Sequence, residues 1–396
     1  MNSGSRLRNV HLATALAKRC SVTLLRILQP EDLPQAPPET QPFEALLTAR
    51  KQRSYSPGMV LRGMLGPMPV TVLNYVSTDV SSCLRAALAS RPFDAVQLES
   101  SNLFSYLDVI RSAPNSPAVL MDWHNIDSEL MSRYASEATH PVKRLVARRT
   151  ARLISNLESK LMRVCDAHTV VSELDKRKLL EQNAAARVTV IPNGVDSAVF
   201  SPSRAAHVQA SLLFVGSMDY HANVDAVLWF LREVWPGISS RFPSLTFKIV
   251  GRSPTKEIAM SASDRIIVTG TVDDVRPFYA DAIAVVVPLR IGGGTRLKIL
   301  EGMAMGVPVV STAIGAEGIA ATNGRDILLA NSAAEITQAL ERVIRDASLR
   351  DELSKRGREL VCQHYDWSSI GDRLYGVYSE LMATRSGLLT SQTNPA

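Results

Sequence analysis

A chain of 396 residues, 46% hydrophobic and 21% charged, is longer than one hydrophobic core usually serves and lacks the polar excess of disordered chains, so two folded domains are expected. The net charge of +6 suits an anionic partner, but with no zinc-finger spacing, RNP-like aromatic run or basic low-complexity tail, nucleic acid is not the expected one. No apolar run approaches the ~20 residues that cross a bilayer, and the four single cysteines make neither a metal set nor a disulfide framework.

The first residues are basic but carry no continuous apolar segment of the ~7 to 15 residues a signal peptide needs, so a cytoplasmic chain is expected. A helical pattern from Leu7 to Lys18 opens the sequence. Short apolar strands follow at Val22 to Leu28, Ala95 to Glu99, Ala118 to Trp123, His168 to Ser172 and Val188 to Ile191, with helical patterns between them. That alternation predicts α/β architecture with parallel sheets.

Turn formers at Pro192-Asn193-Gly194 and the polar stretch to Gln209 mark a boundary, giving domains 1–192 and 193–366. The second half restarts with a strand at Leu212 to Val215 and a helix from Asn223 to Ser239. Strands then follow at Leu245 to Val250, Ile266 to Val268, Ala284 to Val287 and Val307 to Ser311. A terminal helix within 367–383 is expected to pack back on the first domain. Two doubly wound, Rossmann-like sheets facing a cleft would present the carboxyl ends of their strands to one ligand site.

Two features of the first half bear on a possible partner. Lys143, Arg144, Arg148, Arg149 and Arg152 recur on a helical stretch, suited equally to an anionic membrane surface and to plain solvation. Met59, Leu61, Met64, Leu65 and Met68 lie among Gly and Pro, in a loop suited to a lipid tail or to packing against the core.

The densest chemical signal is Pro288 to Ala304, PLRIGGGTRLKILEGMA, where a strand ends, glycines turn the chain and a helix starts near Thr295. Backbone N–H groups of such a turn and the helix N-terminus attract a phosphate, and Arg296 and Lys298 in the first turn would favour one. The alternative is a glycine turn with two solvated charges. Glu301 stands further along, able to accept from hydroxyls or to pair on the helix surface.

The ordered series NGVD (Asn193 to Asp196), LLFVGSMDYHANVDAVLWF, IVGRSP, GTVDDVRPFYADA and GGGTRLKILEGMAMGVPVVST resembles glycosyltransferase family 4, and within it a branch of exopolysaccharide-associated sugar transferases. The resemblance implies the two-domain GT-B fold and transfer from a nucleotide-sugar donor to a glycan or lipid-linked acceptor. It further implies retention of anomeric configuration, with no metal or other cofactor. It assigns the diphosphate to the amides of Gly293 and Gly294 with Arg296 and Lys298, which would be catalytic, and places Thr295 and Gly216 among the donor-binding residues. The ribose falls to Glu301, and the base to the turn Gly270-Thr271-Val272. VLMDWHN (Val119 to Asn125) resembles the strand that delivers a histidine to the reaction centre, making His124 catalytic beside Asn125, with Glu99 lining the same cleft. The alternative for His124 is a histidine merely satisfied at a strand end.

Three departures stand out. Gly293 occupies the place of the family's first glutamate, and Ser217 and Ala222 replace its Arg and Lys, leaving positive charge to Arg296 and Lys298. The family's first strand and glycine loop are the third: the chain begins inside that loop, at Gly4, so the first strand is expected to be missing. Alternative readings are a non-catalytic, nucleotide-sugar-binding partner in polysaccharide assembly, or another GT-B enzyme such as a nucleotide-sugar epimerase. Peripheral contact with an anionic membrane at its inner face is a further expectation.

Overall fold

A computed structural model describes residues 4–29, 42–51, 55–137, 140–202, 210–291 and 297–392. The chain divides into two compact units, the first comprising Met1–Pro192 with Gly371–Ala396, the second Asn193–Ile370.

In unit 1 the strands fall into two parallel sheets. β1 (Thr23–Leu28) pairs with β2 (Ala45–Arg50). β3 (Ala95–Leu98), β4 (Ala118–Trp123), β5 (Ala167–Val170) and β6 (Val188–Val190) form the other sheet in sequence order. Every residue of β4 and β5 is buried, as the centre of a helix-covered parallel sheet requires. β1 is only partly buried along its whole length, and among the described residues nothing joins it to β3. β2 went unnoticed in the sequence because Glu44 to Arg50 reads as readily as a helical turn.

Residues 4–17 form a helix, so Gly4 belongs to that helix and not to a loop. Arg8, Leu12 and Leu16 share its buried stripe. The last helix, Trp367–Gln392, runs further than expected. From Gly371 on it lies against unit 1: a Cβ at Gly371 would come within 2.3 Å of Ala15 Cβ.

Unit 2 carries one six-stranded parallel sheet, β7 (Ser211–Val215), β8 (Thr246–Val250), β9 (Ile266–Gly270), β10 (Ala282–Val287), β11 (Val309–Ser311) and β12 (Leu328–Leu329). Its order is β12-β11-β10-β7-β8-β9. The order reverses between β7 and β10, so their following helices leave in opposite senses and open a crevice at the strands' carboxyl ends. Two expected boundaries move at prolines, which cannot donate a backbone hydrogen bond. β11 begins after Pro308. The predicted Asn223 to Ser239 helix is two helices, His221–Glu233 and Trp235–Arg241, with Pro236 in the second one's first turn.

Candidate functional site

The crevice of unit 2 is built on close backbone packing. Gly216 follows β7 directly, its N–H donating to Val250 O (2.9 Å), and Gly251 follows β8. Gly251 adopts φ of +152°, and a Cβ there would sit 1.8 Å from Gly216 O. Only glycine fits that approach. Gly270 closes β9 at φ +69°, its carbonyl accepting from Gly251 N (3.2 Å). Thr271 is exposed beyond it, while Val272 packs against the core of the unit.

Lys298, in the first turn of helix Leu297–Ala304, reaches this floor. Its Nζ donates to Asn223 Oδ1 (2.9 Å) and lies 4.0 Å from the Phe214 ring centroid. A Cβ added to Gly216 would come within 2.8 Å of the same Nζ. Asn223 is oriented by its donation to Ser217 O (2.8 Å). Arg290, leaving β10, pairs with Asp225 on the helix after β7 (Nε to Oδ2, 3.1 Å). The two elements flanking the reversal in strand order are thereby tied together.

Three helical residues further on, Glu301 accepts from the Tyr279 hydroxyl (2.7 Å). Burial raises the Glu301 carboxyl, against the lowering effects of that hydrogen bond and of Lys298. Its second oxygen leaves acceptor capacity for a ligand hydroxyl. Gly293, Gly294, Thr295 and Arg296 lie outside the described residues, so the expected cradle is represented here by its flanks.

A cation that the sequence reading passed over stands beside Ser217. Arg252, just past β8, donates from Nε to Ser217 Oγ (2.7 Å) and pairs with Asp219 (3.1 Å). The signal was available: β8 neighbours β7, so the first residues after both strands meet at one edge.

Unit 1 holds a second cluster. His124, two residues past the buried Asp122, places Nε2 3.2 Å from Glu99 Oε2 and 3.3 Å from Asp122 Oδ2. Asp122 is fully buried and gripped by Arg8, itself 1% exposed, through Nε and a terminal nitrogen at 2.9 Å each. Arg8 also donates to Pro192 O (3.0 Å), and Thr169 Oγ1 donates to Asp122 Oδ1 (2.6 Å). Gln97 Nε2 donates to Glu99 Oε1 (2.8 Å), while Gln97 Oε1 accepts from the Tyr378 hydroxyl of the last helix. Asn125 is exposed beside the cluster.

Burial alone would depress the His124 imidazole, but hydrogen bonds to Asp122 and Glu99 outweigh it and lift its pKa to about 9. Burial alone would raise the Asp122 carboxyl, yet Arg8 and His124 hold it well below the usual range. His168 shows the opposite outcome in the same sheet. It accepts from Trp123 Nε1 (3.2 Å), and burial pushes it down to about 4. His168 is the core histidine, held toward its neutral form; His124 is held by its two carboxylates toward its protonated form.

No metal ligands were expected to cluster, yet Glu99, Asp122 and His124 bring potential donor atoms within 4.8 Å of one another. Their charges are already balanced by Arg8 and the imidazolium. A cation there would have to expel the His124 proton and compete with a bidentate guanidinium, so the set fits an ion-pair network better than a metal centre.

In sequence, a family model described as Glycosyltransferase Family 4 matches residues 3–199, and one described as Glycosyl transferases group 1 matches residues 209–346. The chain is 26% identical over 283 residues to the lipopolysaccharide core biosynthesis glycosyltransferase LpsE of Rhizobium meliloti, covering 68% of this chain and 76% of that one. It is 23% identical over 174 residues to an uncharacterized 44.6 kDa protein in the cps region of Klebsiella pneumoniae, covering 42% of this chain and 45% of the relative. It thus spans about half of the latter's length. Among solved structures, sucrose-phosphate synthase from Thermosynechococcus elongatus superposes with a TM-score of 0.69 at 18% identity, covering 96% and 94% of the two chains. Anabaena HepE in complex with UDP does so at 0.65 and 15%, covering 96% and 97%. The architecture is the GT-B fold. The chain belongs to glycosyltransferase family 4.

Proposed function

We propose that the chain moves a sugar, with retention of configuration, from a nucleotide-sugar donor to a hydroxyl of a glycan or lipid-linked acceptor in exopolysaccharide or cell-surface glycan synthesis. The observation that carries this reading is Lys298 Nζ, set beside Gly216 and Asn223 where the strand order of unit 2 reverses. A diphosphate there meets the Lys298 ammonium, the glycine backbone that follows β7 and, close by, Arg252. Fixed cations stabilise the charge that develops on the leaving diphosphate. In this reading Glu301 takes the ribose hydroxyls and Gly270-Thr271-Val272 borders the base. The cations already in place let the departing charge be met without a metal.

His124, charged at neutral pH, has no vacant lone pair with which to accept a proton. Its role is therefore donation to a sugar hydroxyl, and the acceptor is left to be deprotonated by the departing phosphate. UDP is the first donor nucleotide to try, since HepE is a structural neighbour bound to it. Calorimetry with UDP and GDP, with proton NMR of the product anomer, tests the proposal. Failure of both nucleotides to bind, or an inverted product, overturns it. A second reading, a nucleotide-sugar-binding partner without turnover, is favoured by the division of unit 1 into two sheets. It predicts nucleotide binding with no transfer to any acceptor extract.

A further inference from the structure

The expected loop at Met59 to Met68 is, from Pro57 to Leu65, a helix. It does not bury its large apolar residues: Leu61 is 57% and Leu65 76% exposed. Arg149 pins this helix from the neighbouring one, Pro141–Val164, donating to Met64 O (2.6 Å) and Gly66 O (2.9 Å). On that second helix Val142 and Leu145, on one ridge with Arg149, are 59% and 69% exposed.

The same stretch carries Lys143, Arg144, Arg148, Arg149 and Arg152 and no acid before Glu158. Arg148 and Arg152 stand one helical turn apart as like charges on one face, an arrangement that an anion between them relieves. Arg148 and Arg152 line an open groove of about 420 Å³ shared with helix Asp127–Glu137, whose Ser128, Ser132 and Ser136 form the opposite wall. Small side chains keep that wall low. The carboxylate in the groove, Glu129, is already engaged by Lys178 (2.6 Å) and Arg133 (3.7 Å). The hydroxyls of Ser132 and Ser136 turn back to carbonyls of their own helix, bonds that a hydroxyl rotation exchanges for a phosphate oxygen.

We propose that this face of unit 1 docks on a bilayer containing anionic phospholipid, with a lipid phosphate seated between Arg148 and Arg152 and Leu61, Leu65, Val142 and Leu145 entering the headgroup boundary. A soluble anion would use the guanidiniums but give no reason for four large aliphatic side chains held in water beside them. A lipid surface accounts for both. The inference does not depend on turnover, because vesicle binding is read without a donor or an acceptor.

The test is flotation of the full chain with phosphatidylcholine vesicles, with and without phosphatidylglycerol. Binding is expected only with the anionic lipid and should weaken with salt. Replacing Arg148→Ala together with Arg152→Ala should lower partitioning about ten- to thirtyfold, the loss of two cations near an anionic surface. Leu61→Ser with Leu65→Ser, which leaves all charges in place, should lower it as well. Arg85→Ala with Lys355→Ala removes the same charge elsewhere and should leave binding unchanged. Equal binding to neutral vesicles, an equal loss in that control pair, or indifference to the Arg148 and Arg152 changes overturns the proposal. So does saturable binding of glycerol phosphate to the groove without flotation on vesicles.

Discussion

The two units solve the same problem, holding a polar site at the end of a parallel sheet, in different ways. Unit 2 does it with backbone: six hydrogen-bonded strands end together, and Gly216 and Gly251 touch so closely that the crevice floor has no slack. Unit 1, its strands divided between two sheets, does it with charge. His124 is held by Asp122 and Glu99, Asp122 by Arg8 from the first helix, and Glu99 through Gln97 by Tyr378 from the last. A ladder spreads its load over many bonds; an ion-pair network concentrates it in a few.

The comparison breaks most readily at Asp122. Asp122→Ala leaves Arg8 buried without its counter-charge, and removing one partner of a buried pair costs about 3 to 5 kcal/mol. Hydrogen exchange resolved by peptide should show β3 to β6 opening while β7 to β10 keep their protection. Loss of protection shared equally by both units would mean that the network is not what holds unit 1.

pH separates the units next. His124 binds its proton more tightly folded than unfolded, so its stabilisation is complete below about pH 6.5 and drains away as pH rises through about 9. The full effect is about 3 kcal/mol. Glu158, which accepts from Ser128 N (3.0 Å), is lifted by burial to about 7 and acts in the same direction at lower pH. The stability of unit 1, followed by exchange on heating, should therefore fall toward alkaline pH, and His124→Gln should flatten the upper part of that profile. A profile unchanged in the variant would place the titration elsewhere.

How much of this was readable beforehand follows the same division. Each part of the unit 2 crevice is a short motif in itself, a glycine after a strand or the start of a helix, so Gly216, Lys298 and Glu301 could each be named as candidates without knowing that they meet. The unit 1 network joins residues more than a hundred positions apart, and one sequence does not pair Arg8 with Asp122. It does contain hints. Arg8 stands on a stripe with Leu12 and Leu16, and Asp122 interrupts the apolar run AVLMDW two residues before His124, hence on the same strand face. A cation and an acid each placed in a core are partners waiting to be matched. Tyr378 and Tyr279 gave no such sign, because an aromatic on an apolar face reads as packing.

Lys298→Ala sharpens the comparison from the other side. Removing a charge-assisted contact costs about 1.5 to 3 kcal/mol of UDP affinity, while stability should hardly change because the ladder remains. Calorimetry and a melting curve on one sample check both halves. Unchanged affinity for UDP and GDP would remove Lys298 from the diphosphate.

The smallest effect expected is at Glu301, and it distinguishes a ribose contact from a structural one. Glu301→Gln keeps the length of the side chain and can still accept from Tyr279, so the helix Leu297–Ala304 should persist. What changes is the acceptor: a neutral amide oxygen takes hydroxyl hydrogens less strongly than a carboxylate. Burial already raises the Glu301 carboxyl, which narrows the difference between acid and amide, and the loss in UDP affinity should be about 1 kcal/mol. The decisive control is a dideoxyribose analogue. If Glu301 holds the ribose, the substitution weakens UDP but leaves the analogue alone, since the analogue has no hydroxyls to lose. An equal loss for both ligands would mean that Glu301 acts through Tyr279 on the packing of the crevice and touches no sugar.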